Sequence, residues 1–339
     1  MNRKIWKLLV CLTVIVSIPF QAYGQGFAKV GIVGGQFLKL GSSAGTLAMG
    51  SASTAVVNDA TALFWNPSGI TTIENTSATL THMSLFAGIS YETGAVAKQF
   101  GNLGTFGLSF GYLTSGEMDI TTYEMQEGTG ETFAYSDMMV GLSWAKPLTD
   151  RFVFGGTVKL IREDYGIQDD IQGDNIIAQS FAFDLGTQYR TQFNSLRMGI
   201  SLQNFGPESR PVGKYADIIG FDSKTQQYLR DEEEQFSAYP LPMTFRAGVA
   251  YDVMNSVTQK LTLATDVIAP SDNVQRLNLG AEYSLFNTLF IRGGYIYNAD
   301  AANLSAGLGF QLAGIRIDYA YMDYGILNSI QAFSAVFNF

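Results

Sequence analysis

Residue types able to do nucleophilic or metal chemistry are scarce in this chain, which has one histidine, His82, and one cysteine, Cys11. A membrane phospholipase needs a Ser–His pair with a polar group to orient the ring, and a surface protease can use an Asp–His pair. His82 stands beside Met83 and Ser84. Its expected role is that of a lumen or rim side chain held by a neighbour. The chain is accordingly expected to be no enzyme, with no catalytic residues, no cofactor-binding residues and no metal site. A single His and no Cys beyond residue 11 leave no His/Cys spacing for a metal, so that only all-oxygen sites remain. Asp169-Asp170 with Asp174, and Asp231-Glu232-Glu233-Glu234, are carboxylate clusters of that sort. Neither has the spacing of a calcium loop, and both read as solvated external charge.

The elements that must position these residues begin after a targeting segment. Arg3, Lys4 and Lys7 precede an apolar stretch from Leu8 to Ile18, which Pro19 breaks. Ala22-Tyr23-Gly24 is a small-x-small cleavage site, so residues 1–24 are expected to be a cleaved signal peptide that leaves Gln25 first. Cys11 would go with it, and with it any disulfide. Of the 21 basic residues three lie in this segment, leaving 18 against 30 acidic ones, a balance of −12. Such a chain is a poor match for nucleic acid, whose phosphates need clustered Lys and Arg.

Apolar residues make up 47% of the chain and charged residues only 15%, against about 25% in ordinary globular domains. After residue 25 no apolar run approaches the ~18 residues of a spanning helix. High apolarity without helical spans, with 36 Gly, 24 Phe and 17 Tyr, fits a membrane sheet. Such a sheet must close, because an open edge in lipid leaves backbone groups unpaired.

From about residue 76 the chain breaks into period-2 segments. In Ile315, Ile317, Tyr319 and Tyr321 one face is bulky and apolar, while Arg316, Asp318, Ala320 and Met322 make the other. About fourteen strands are expected, near 76–84, 87–99, 104–115, 131–146, 151–163, 177–190, 195–204, 242–253, 259–268, 274–284, 288–297, 303–311, 314–324 and 329–339. The fold class is thus all-β, a transmembrane antiparallel β-barrel over residues 76–339. The long connections, near 115–130, 164–176 and 205–241, alternate with short ones. Outer-membrane barrels have short periplasmic turns and longer external loops, which puts both termini in the periplasm and the long loops outside. Phe333, Phe337 and Phe339 alternate along the last segment, and Phe337 and Phe339 resemble the signal that the barrel-assembly machinery reads.

Residues 25–75 do not alternate. Asn58 and Asp59 suit helix caps, and Asn66-Pro67-Ser68-Gly69 reads as a turn in which glycine is free to take positive φ. Such a segment could extend into the periplasm or fold inside the lumen, and its low charge and the buried-type residues Leu63, Phe64 and Trp65 favour the lumen, as a hatch or plug. Here the sequence resembles a known family. Gly35-Gln36-Phe37-Leu38-Lys39-Leu40-Gly41, Ala48-Met49-Gly50-Ser51-Ala52, and the stretch from Asn58-Asp59-Ala60 through Trp65-Asn66-Pro67-Ser68-Gly69-Ile70 are similar to the pattern of PorV/PorQ proteins, with Asn58, Phe64 and Ser68 as small departures. The resemblance implies a FadL-like barrel of fourteen strands with an N-terminal luminal hatch, in a Bacteroidetes-type outer membrane. It also implies kinship with type IX secretion, in which PorV receives the C-terminal signal domain of cargo. Trp65, Asn66, Pro67 and Gly69 are the hatch residues of that motif.

The expected function is then a non-enzymatic outer-membrane adaptor or accessory of protein secretion or surface assembly, surrounded by outer-membrane lipid and binding other proteins through its external loops and lumen rim. A FadL-like passive transporter of hydrophobic small molecules, or a structural subunit of a larger membrane complex, are the other readings. The candidate partner-binding loop is 205–241, through Tyr215, Ile218, Phe221, Tyr228 and Phe236. Arg162, Arg197, Arg246, Arg292 and Arg316 are expected to point inward and pair with carboxylates such as Asp184, Asp266, Glu282 and Asp318.

Overall fold

The computed structural model describes residues 31–339, apart from 169–172, 174, 216–217, 223–226, 231–233 and 302. The segment 1–24 expected to be a signal peptide, and the acidic residues Asp169, Asp170, Asp174 and Asp231 to Glu233, lie outside the described residues.

Fourteen strands form the wall: β1 Thr76–Ser84, β2 Ser90–Gln99, β3 Thr105–Thr114, β4 Ser136–Pro147, β5 Phe152–Gln168, β6 Asn175–Arg190, β7 Arg197–Phe205, β8 Thr244–Asn255, β9 Gln259–Pro270, β10 Arg276–Leu285, β11 Leu289–Tyr297, β12 Leu304–Leu312, β13 Ile315–Asp323 and β14 Ser329–Asn338. Each pairs antiparallel with its neighbour in sequence, and β1 pairs with β14 from Ser77↔Asn338 to Ser84↔Gln331. The sheet therefore closes, and every strand of the ladder finds two partners.

Side-chain alternation decides which face is which. On β3, Phe106, Leu108, Phe110 and Tyr112 are exposed on the outside while Thr105 and Ser109 are buried within. The same pattern puts Val140, Leu142, Leu160, Ile200, Ile291, Leu308 and Ile317 on the outer face. An apolar belt of this size is tolerable only against hydrocarbon. Among the described residues no helix is long and apolar enough to cross a membrane, so the strands do the crossing.

The connections at the end that holds Thr76 and Phe339 are short, such as 256–258 and 313–314, whereas 115–135 and 206–243 emerge at the opposite, external end. These two are not irregular throughout. Met118–Asp119 pairs with Thr132–Phe133, Lys214–Tyr215 with Glu234–Gln235, and Ile218–Asp222 with Gln227–Arg230. Short ladders satisfy backbone groups above the membrane rim that a bare loop would leave to water. Pro211–Val212 folds back onto β6 at Ile177 and Ala178, beyond the end of β7.

Parity also corrects one expectation. Ile161 and Glu163 on β5 are buried inward, so Arg162 points out of the barrel, where it bonds the equally outward Asp164 at 3.2 Å. It lies near the external end of the strand, above Leu160, where water can reach an outer-face charge.

Residues 36–73 run around the inside of the wall. The helix α1 Ala44–Ala48 packs on β11 to β14, the 3-10 turn Ala60–Phe64 on β1 to β3, and the 3-10 turn Pro67–Thr72 on β3 to β6. Contacts on so many sides place the segment within the lumen. Its residues Ala44, Leu47, Ala60, Leu63, Trp65 and Ile70 are buried, and with inward wall residues they make the apolar cores of the molecule.

Candidate functional site

The site is assembled from the luminal segment upward. Asp59 caps Ala60–Phe64 by accepting from the Thr61 amide at 3.0 Å, and Asn66 caps Pro67–Thr72 by accepting from Ser68. Pro67 opens that second turn, where its missing N–H costs nothing. Asn66 does more than cap. Its Nδ2 donates to the Thr54 carbonyl at 2.9 Å and to the Thr187 carbonyl on β6 at 3.1 Å. Gly186 lies opposite, where a Cβ would overlap the Asn66 amide oxygen. Gln203 on β7 donates to the carbonyls of Phe64 and Trp65, both at 2.8 Å. Trp65 is buried, with the Arg246 guanidinium 4.4 Å from its ring centroid, a cation–π contact. Gly69 departs from expectation. It sits inside the 3-10 turn without positive φ, and its need for glycine is steric, since a Cβ there would come 2.5 Å from the Val57 carbonyl oxygen.

The luminal charges pair across the wall and onto the segment. Arg292 bonds Glu282 and Asp318, each at 2.6 Å, and Arg316 bonds Asp318 and Asp59, each at 2.8 Å. Asp266 accepts from the Ser53 and Thr54 amides at 2.9 Å and from the Thr54 hydroxyl at 2.7 Å. Arg197 pairs with Asp252, and Asp184 with Lys159 at 2.6 Å. Burial works to raise the Asp59 pKa, but the adjacent Arg316 guanidinium and the Thr61 bonds prevail and hold it below the usual carboxylate range. Asp59 therefore stays ionised, and the segment is tied to β13 by a full charge pair.

At the external end the filling stops short of the rim and leaves an open cleft of about 700 Å³. Phe37, Leu40, Leu85, Phe86, Ile89 and Leu113 give it an apolar floor and side. Beside Leu113, its cross-strand partner Asp137 and then Glu163 on the next strand bring two carboxylates to the cleft, with three phenols around them. Tyr135 donates to Asp137 at 2.7 Å, Tyr239 donates to Glu163 at 2.5 Å, and Tyr165 lies 3.0 Å from Tyr239, oxygen to oxygen. Glu163 also accepts from the Gly35 amide at 2.8 Å, which fixes the segment's entry to the mouth. Burial and the carboxylates they serve push the Tyr135 and Tyr239 phenols well above their ordinary range, so both remain donors. Gly34 donates from its backbone to Pro240, and the Tyr239 ring lies where a Cβ on Gly34 would be. This acidic, tyrosine-lined wall escaped the sequence reading. Asp137, Glu163 and Tyr239 come from two strands and a loop, and inward parity on β4 and β5 was the only available sign.

The candidate loop is brought together only in part. The Tyr215 and Phe236 rings lie 5.4 Å apart, with Tyr215 donating to Glu234 at 3.0 Å. Backbone pairing sets Phe221 opposite Tyr228, on the ladder that begins at Ile218. Among the described residues the loop reaches the cleft through Ser237, Ala238 and Tyr239. At the other end Phe337 and Phe339 stack nearly parallel on the outer face, and Phe339 exchanges backbone hydrogen bonds with Thr76.

The fold has known counterparts. The toluene transporter TodX of Pseudomonas putida superposes with a TM-score of 0.58 at 12% identity, covering 88% of this chain and 99% of that one. A FadL homologue of Pseudomonas aeruginosa gives 0.55 at 13% identity, over 88% and 98%. At such identities the likeness concerns the barrel alone. Among curated proteins none matches the chain in sequence. The family model described as type IX secretion system protein PorV matches residues 28–268, both the luminal motif and more than half of the wall. With that match over most of its length, on a closed FadL-like barrel of the bacterial outer membrane, the chain belongs to the PorV family.

Proposed function

We propose that the barrel is an adaptor of protein secretion or surface assembly that receives part of a protein partner in its external cleft. The observation that carries this reading is one cleft lined both by apolar side chains, Phe37, Leu40 and Phe86 among them, and by the carboxylates of Asp137 and Glu163 on β4 and β5. An extended peptide offers both an apolar side chain for the floor and amide or basic donors for the carboxylates. The ladders above the rim, with Tyr215 and Phe236 among them, extend the surface such a partner meets. Residues 36–73 act as the hatch, held by Asn66, Trp65 and Pro67, and block passage of the partner through the lumen. Lipid surrounds the belt, and a net charge of −9 argues against nucleic acid at the mouth. Recovery of the barrel in native detergent, with mass spectrometry of what accompanies it, tests the reading. A protein that is lost when the cleft is filled by substitution supports it, and a barrel recovered alone and loaded with lipid sinks it.

A second reading rests on the same cleft. Its lining is mainly apolar and it lies between the segment and the wall, the place where a hydrophobic small molecule would rest before crossing. The likeness to a transporter of toluene concerns the fold only. Binding of a fluorescent hydrophobic probe that Phe37→Asp abolishes, with no protein partner recovered, would favour transport.

A further inference from the structure

The outer face of the barrel bears a second constellation, away from the cleft. Ser84 and His82 lie two residues apart on β1 and so share one face, and Glu92 stands directly across from His82 on β2. Parity puts all three outside, since Thr81 and Met83 between them are buried inward. The Glu92 carboxylate lies 2.5 Å from His82 Nδ1, and the Ser84 hydroxyl lies 3.2 Å from His82 Nε2. The two ring nitrogens thus have different partners. A carboxylate can only accept, so in the neutral ring Nδ1 carries the proton and Nε2 presents its lone pair to the serine. That is the arrangement of a nucleophile, a base and an orienting acid.

Its setting points to a substrate. Phe333 on β14 is paired with His82, and Tyr112 on β3 is paired with Glu92, so aromatic rings flank the row on both sides. One row toward the periplasm, Leu80 is 62% exposed on the outer face. One row outward, Ser84 ends its strand, with Gln331 and Ser90 as its cross-strand partners. Aromatic residues collect at the level of the lipid headgroups. The three polar groups therefore stand at the outer edge of the apolar belt, where the ester bonds of a lipid meet water.

We propose that Ser84, His82 and Glu92 form a serine hydrolase site for the acyl esters of outer-leaflet lipid. Ser84 Oγ attacks the ester carbonyl as His82 Nε2 takes the hydroxyl proton. The tetrahedral centre collapses, the C–O bond to the lipid alcohol breaks, and His82 returns its proton to that leaving oxygen. Water then attacks the acyl-serine by the same route, so that one ester and one water give one alcohol and one fatty acid. Glu92 is a positioning residue, acting through the ring. Gln331, the cross-strand neighbour of Ser84, accepts from the Tyr319 hydroxyl through its amide oxygen at 3.3 Å, and its amide N–H would serve the developing oxyanion.

The test uses the full-length barrel in phosphatidylethanolamine vesicles and a fluorophosphonate probe of reactive serines. The probe is expected on Ser84 by peptide mapping, and fatty acid is expected to be released from the vesicles. Ser84→Ala should remove both, and His82→Ala should slow release about 100-fold or more. Glu92→Gln should lower kcat with KM unchanged, and Glu92→Asp should restore part of it. All these side chains are exposed, and each variant is checked for folded-barrel mobility on unheated gels. Release equal in wild type and Ser84→Ala, or no probe on Ser84, overturns the proposal. Cleavage confined to a soluble short-chain ester, with vesicles untouched, overturns its assignment to lipid.

Discussion

Asn66 donates to the backbone carbonyl of Thr187 at 3.1 Å, joining the luminal segment to the periplasmic part of β6 through a residue with no exposed surface. The same amide serves Thr54 and caps the turn at Ser68. Buried groups stripped of such partners cost about 1–3 kcal/mol each. Asn66→Ala should therefore loosen the segment by about 2 kcal/mol or more while leaving the wall closed. Hydrogen exchange in detergent should rise across residues 53–73 with little change in β1 to β14, and uniform exchange in both would count against this anchor.

The Asp59–Arg316 pair sets a pH dependence. The Asp59 pKa is lowered in the folded protein, so its contribution is present above the unfolded value and is lost as pH falls through the folded one. The segment should be equally protected at pH 7 and pH 5, and should loosen only below the ordinary carboxylate range. Asp59→Asn should be looser already at pH 7 and should lack that acid step. An acid step of the same size in the variant would assign it to another group.

Gly34→Val should act on the mouth without unfolding the barrel. Its side chain takes the place of the Tyr239 ring, which must swing away from Glu163 and into the cleft. Recovery of a protein partner should fall several-fold, with heat-modifiable gel mobility unchanged. Full recovery would remove the cleft from the binding surface.

Phe339 offers a separation of assembly from stability. The ring is 74% exposed on the outer face, so Phe339→Ala should leave the unfolding of the purified barrel nearly unchanged. If Phe339 and Phe337 are read by the assembly machinery, the same change should lower the folded fraction in cells several-fold. Equal folded fractions in cells would remove that role.

The wall was legible because lipid imposes a strict period. Ile315 to Met322 declares its two faces in the residue types alone, and the fourteen segments follow from the same rule. Arg162 shows the rule's limit. Its charge suggested the lumen, but parity with Ile161 and Glu163 sends it outward, so alternation outranks residue type near the rim. The motif from Trp65 to Gly69 marked the luminal segment, yet the reason for Gly69 is a neighbouring carbonyl from Val57, which spacing does not reveal. The acidic wall of the cleft joins residues about a hundred positions apart, and the partner of His82 stands on another strand. Pairing of this kind becomes visible only when the strands are in register.

The contents of the lumen bear on how the barrel is made. Ala44 donates to Ser334 on β14 at 2.7 Å, and Asp59 pairs with Arg316 on β13. The chain thus carries early in its length groups whose partners arrive last. The first strand and the final one meet along a single seam, and Ser334 beside that seam also bonds Thr81 of β1 at 2.8 Å. The last two strands to arrive therefore complete the fastening of residues 44–59, while Asn66 and Thr54 are already held by β6 and β9. An intermediate that lacks the final strands has the first part of its contents loose, which exposes that part to a protease.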